Sequence, residues 1–254
     1  MSRVRRRRLV SAVEVVAVCA LYFVGTWWVG PNVRHAWAKL SFFVFVGAGA
    51  LHVLWVSPVV LHSDSPETRG WGGRFSWRNA EVLRPYGALT LAGAVVLIGI
   101  ALARDPALFS RIVWRSVAVK LLFYVPFAFV QAMLVFGFLM TRIRDVVEAE
   151  PPHHAHGASS RLRVAIATGA LFSLLHLPNG PLMGFVFVAG VVWAWVFYAR
   201  PSIVLLTASH AILGTLLHRF VELHMRVGPF YGHPDMYFTR LLVPGAKELI
   251  GNLY

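Results

Sequence analysis

The chain of 254 residues has one cysteine, few charges and very few acids, and each shortage removes a class of function. A lone thiol, Cys19, excludes an internal disulfide and any Cys-x-x-Cys metal or redox centre. Charged residues make up only 14% of the chain, against ~25% in an ordinary soluble domain, while 57% is hydrophobic. Eleven acidic residues stand against 24 Lys and Arg. None lies between Asp105 and Asp145, or between Glu150 and Glu222, so chemistry in those stretches has to rest on groups other than carboxylates. No repeat of fixed period is present, and no low-complexity tract exceeds a few residues.

The apolar residues come instead in long blocks, as in an all-α, polytopic transmembrane bundle. About seven spans are expected, over roughly 9–30, 40–60, 86–103, 117–140, 164–178, 182–199 and 203–219. The fifth is short and ends at Pro178. No polar stretch is long enough for a second core, so residues 1–8 read as a basic cytoplasmic head, 9–220 as the bundle and 221–254 as an interfacial tail. The first block is too long for the ~7–15-residue core of a cleaved signal, which makes it a retained span. The formal charge of +13 sits in the loops rather than in a basic and aromatic binding module. That placement implies anionic lipid as the partner, no nucleic acid, and a cytoplasmic N-terminus in a bacterial-type plasma membrane.

Two histidines mark the place to look for chemistry. His176, in FSLLHLPN, and His210, in TASHAILG, lie in apolar runs that contain no acid, where an unpartnered imidazole is costly. Helical spacing puts Phe172, His176 and Asn179 on one face, and His210 and Gly214 on another. Such a pair can polarise a carbonyl, hold an oxyanion, orient a water or ligate a metal. His52 reads as a helix-to-helix hydrogen-bonding residue, and His218 with Glu222 as an i,i+4 contact. His153, His154 and His156 read as a cytoplasmic loop with adventitious affinity for metal at most.

These motifs, with about one span between them, resemble the CPBP family of intramembrane endopeptidases, which includes the type II CAAX prenyl proteases and the bacterial Abi proteins. The resemblance implies a peptidase needing no cofactor, acting on a membrane-associated peptide or protein, over a region of about 117–220. It makes His176 the water-binding histidine and His210 an oxyanion donor; beside them, Gln131, Phe172 and Asn179 are expected to bind or orient substrate. The family's first motif, Glu-Glu-x-x-x-Arg, falls on VQAMLVFGFLMTR, where Gln131 and Ala132 replace the glutamates and Phe136 the arginine. Gly214 stands where a final asparagine is expected. An amide is no base near neutral pH, so two readings stand side by side: a divergent peptidase, and a catalytically silent relative that binds a membrane peptide. A bis-histidine haem or metal protein, with ligands from His52, His176, His210 and His218, is the third. Only a carboxylate from elsewhere would rescue the dyad, and the candidates are Glu14, Glu81 and Glu222.

Overall fold

The computed structural model describes residues 3–62, 75, 79–148 and 157–232. Among them there is no strand, and seven helical rods account for the expected spans. The first comprises α1 (Arg3–Val24) with π-helical turns over Gly25–Val29, and the second α2 (Ala36–Leu51) with π-helical turns over His52–Leu61. After α3 (Ala80–Arg104) and the single turn α4 (Leu108–Arg111), the fourth rod runs continuously through α5 (Trp114–Gln131), a π-helical stretch (Ala132–Leu139) and α6 (Met140–Val147). Three further helices follow, α7 (Ala158–Leu174), α8 (Gly180–Ala199) and α9 (Ile203–Arg219). Five rods are long and apolar enough to cross a bilayer, and α9 is a shorter apolar helix.

The chain is helical because a backbone in hydrocarbon must satisfy its own polar groups. Three helix starts carry side-chain caps: Asn79, Asn179 and Ser202 accept from the amides of Glu81, Leu182 and Leu205. Large apolar side chains such as Val16, Trp55, Val96 and Leu122 point outward, the arrangement expected of a bundle whose solvent is lipid. The protein is therefore an integral membrane protein.

One expected boundary and one expected contact change. Helix continues through Val147, past the expected end of the fourth span at about 140, because Arg144 pairs with Glu148 at 3.0 Å and Asp145 is bound by Arg7 and Ser11 of α1. At the other end, α9 stops at Arg219 and Glu222 adopts φ +60°, so helical spacing does not govern its relation to His218. The histidine cluster at 153–156, most of the glycine- and tryptophan-bearing loop at 69–79, and the tail from 233 onward lie outside the described residues.

The interior is aromatic and lies among α3, the fourth rod, α7, α8 and α9. The tightest crossing is α7 on α8. A Cβ built on Gly169 would lie 2.5 Å from Val191 Cγ2 and 2.8 Å from its amide nitrogen. A Cβ on Gly190 would lie 3.0 Å from Gly169 Cα and 3.3 Å from Phe172 Cδ1. Small residues at this crossing bring the two backbones together, and that approach positions Phe172.

Candidate functional site

Phe172, 1% exposed, is the hinge of the site. The His176 ring stands edge-on to it with centroids 5.0 Å apart, and the His210 ring meets it at 5.8 Å. The two imidazoles, one from the end of α7 and one from the middle of α9, thus gather on a single phenyl ring. Trp193, at 5.0 Å, and Tyr124, at 5.7 Å, close the other sides of His210. Three aromatic rings thus flank the His210 imidazole.

The two histidines differ in what their nitrogens do. His176 Nδ1 lies 2.7 Å from the Phe172 carbonyl one turn earlier and therefore carries the proton, which leaves Nε2 as an acceptor. His210 Nε2 lies 3.4 Å from the Tyr124 hydroxyl, and its Nδ1 is buried without a hydrogen-bond partner. Gln131 likewise has a buried Oε1 with no partner. Trp114 meets Phe220 while Tyr124 meets His210, so α5 and α9 run antiparallel. That register carries Gln131, two turns beyond Tyr124, toward the Ile203–Thr207 end of α9, where Thr207 Oγ1 is also unpartnered.

The polar positions that the family motif would supply are filled by rings. Phe136, 0% exposed, packs on Phe172, Trp193 and Phe197 at centroid distances of 5.8, 6.2 and 6.2 Å. Opposite Gly214 stands Tyr124: a Cβ there would lie 2.3 Å from Tyr124 Cε1, so the tyrosine occupies the room an asparagine side chain would need. Glycine at 214 and tyrosine at 124 are one substitution in physical terms, since each requires the other.

Asn179, 1% exposed, has its amide fully engaged. Its Oδ1 caps α8, and its Nδ2 donates to the carbonyls of His224 (2.8 Å) and Arg226 (3.1 Å). The turn carrying His176 is held from three sides: Tyr22 of α1 donates to the Leu175 carbonyl, the Gly228 amide donates to the Leu177 carbonyl, and Asn179 grips the segment after α9. Asn179 thereby fixes the position of His176, whose carbonyl also accepts from the Asn179 backbone amide at 3.1 Å.

The carboxylates lie elsewhere. Among the described residues neither His176 nor His210 forms an ion pair within 4.0 Å with any acid. Glu14 is instead the centre of a buried network that sequence reasoning left unassembled. Its carboxylate accepts from His52 Nε2 at 3.0 Å and His62 Nε2 at 2.7 Å, and forms an ion pair with Arg142, whose Nε lies 2.9 Å away. Arg142 reaches on to Ser57 at 2.6 Å, and Asp145 accepts from Arg7 and from Ser11 at 2.9 Å. His52 is thus the helix-to-helix bond its isolation suggested. The partners come from the first, second and fourth rods, too far apart in sequence for any spacing rule; the one signal was an acid, a histidine and an arginine inside apolar blocks.

Comparison with known proteins locates the likeness in the second half of the bundle. Residues 113–216 match a family model described as type II CAAX prenyl endopeptidase Rce1-like. The resemblance read from the two histidine motifs is borne out over that stretch, which contains Gln131, Phe136, Phe172, His176, Asn179 and His210. No curated protein and no solved structure shows a match.

Proposed function

We propose that this CAAX-protease-like membrane protein binds a lipid-modified or membrane-inserted peptide beside His176, His210 and Gln131 without hydrolysing it. The observation that carries the reading is the absence, among the described residues, of any carboxylate partner for either imidazole, while Glu14 is bound by His52, His62 and Arg142. A general base contributes ~10²–10⁴-fold and one oxyanion donor ~10²–10³-fold. Losing both removes most of what a water-activating site supplies. Neutral imidazoles and an amide keep their value as hydrogen-bonding groups: His176 Nε2 and Gln131 Oε1 accept, which suits the N–H groups of an extended peptide. The aromatic walls suit an apolar chain. In this reading the N-terminus is cytoplasmic, the first eight residues are a basic head, and the segment after α9 is an interfacial cap.

The test is a fluorescent farnesylated CAAX peptide presented to the full chain in lipid nanodiscs. Saturable binding, weakened about tenfold by Gln131→Leu or His176→Leu, with no cleaved product by mass spectrometry, supports the reading. Product formed by the wild type and lost in His176→Ala would instead establish a working peptidase. No saturable binding would remove the peptide role altogether.

A further inference from the structure

At the end of the bundle where α3, α7 and α9 begin and α8 ends, a hollow of about 470 Å³ is lined by Pro85, Arg161, Trp195, Val196, Ala199 and Arg200. A single water takes ~30 Å³, so this is space for a group of many atoms. Two of its six lining residues are arginines. The Arg161 guanidinium lies 4.0 Å over the Trp195 ring and donates from Nε at 2.8 Å to the Trp195 carbonyl. Nη2 donates to the same carbonyl, and among the described residues Nη1 has no hydrogen-bond partner. Arg200 is exposed, and only its backbone is tied down, by the Tyr86 hydroxyl at 3.1 Å. Among the described residues neither guanidinium has a carboxylate partner, and Arg84 and Arg163, each within two residues of a lining residue, have none either. Glu148, at the end of α6, is already taken by Arg144 and the Tyr198 hydroxyl.

Gathering like charges in a cleft without a counter-charge raises the energy of the fold, and an anion seated between them would offset it. The position limits which anion. The hollow opens at a helix end where apolar Val196 and Ala199 meet a tryptophan, the depth at which aromatic residues sit among lipid headgroups. Arginine matches phosphate through paired, parallel N–H donors. We propose that Arg161 and Arg200 form a site for the phosphate of one anionic phospholipid, with Trp195 and the Val196–Ala199 surface against its glycerol and upper acyl chains. This site lies at the opposite face of α8 from the aromatic residues around His210, and it is independent of any activity there.

The test titrates the detergent-solubilised full chain with phosphatidylglycerol, phosphatidylcholine and inorganic phosphate, read by native mass spectrometry. The expected result is one saturable equivalent of phosphatidylglycerol, preferred about tenfold over phosphatidylcholine. Each arginine near a headgroup is worth about fivefold in affinity. Arg200→Gln, which breaks no side-chain bond, should therefore weaken phosphatidylglycerol about fivefold, Arg200→Glu should abolish the preference, and Arg200→Lys should restore most of it. Unchanged phosphatidylglycerol binding in Arg200→Glu overturns the proposal, as does equal binding of the two lipids by the wild type. Millimolar inorganic phosphate displacing the lipid would make this a site for a soluble anion and likewise overturn it.

Discussion

Replacing Glu14 by glutamine tests whether the buried ion network holds the first two rods onto the rest of the bundle. Glutamine keeps the shape and removes the charge. The carboxylate, 4% exposed, accepts from two imidazole N–H groups and pairs with the Arg142 guanidinium, at distances of 2.7 to 3.0 Å. In glutamine one of the two oxygens becomes an NH₂ group, which a neutral imidazole can meet by changing tautomer but the Arg142 guanidinium cannot, and in either orientation the negative charge is gone. Arg142, 2% exposed, would lose the carboxylate 2.9 Å from its Nε, while Asp145 stands farther off at 3.8 Å. Removing one partner of a buried ion pair costs ~3–5 kcal/mol, chiefly because the other charge is left desolvated and unpaired. Against the ~5–15 kcal/mol that stabilises an ordinary fold, that is a large fraction. The assay is reversible denaturant unfolding in micelles of wild type, Glu14→Gln, Arg142→Met and the double variant. The double variant should be destabilised by well under the sum of the singles, since it leaves no lone charge. A Glu14→Gln protein within ~0.5 kcal/mol of wild type, or strict additivity in the cycle, would refute the reasoning.

Three further outcomes follow from the geometry. Gly214→Asn should lower thermal stability by ~1–3 kcal/mol through overpacking against Tyr124, and Tyr124→Ala in the same chain should recover part of it; a stable single variant would mean the ring moves aside freely. Gly169→Ala should destabilise by a similar ~1–3 kcal/mol because its Cβ meets the Val191 backbone, whereas Gly184→Ala, with nothing within 4 Å, should be neutral or stabilising by up to ~1 kcal/mol; comparing the two melting curves decides it. Asn179→Ala removes a helix cap worth ~1 kcal/mol and two bonds to carbonyls worth ~1 kcal/mol each, so hydrogen exchange should quicken over 224–230. Unchanged exchange there would deny Asn179 its clamping role.

The proposed silence of the site and its packing are consistent with one another. Where a peptidase motif would bring an arginine and an asparagine, this chain has Phe136 against three rings and Tyr124 over Gly214. Reversing one polar substitution alone would therefore not rebuild a hydrolytic site. Phe136→Arg would bury a charge among aromatic groups, and Gln131→Glu would add a carboxylate with the oxyanion side still closed by tyrosine.

Helical class, approximate spans, the pair of histidines and their likeness to a peptidase family are legible in the residues alone, because hydrocarbon leaves a chain few options and makes each buried polar group conspicuous. Periodicity suffices there, since apolar blocks and residues three or four apart are local properties. What periodicity cannot give is pairing between rods. That Tyr124 fills the space above Gly214, that Asn179 clamps a distant segment, that Arg161 and Arg200 share one hollow, and that Glu14 belongs to His52, His62 and Arg142 all depend on helix register and rotation. Those quantities are set by close approach of small residues and by side-chain volume across the bundle, and only the tertiary structure fixes them.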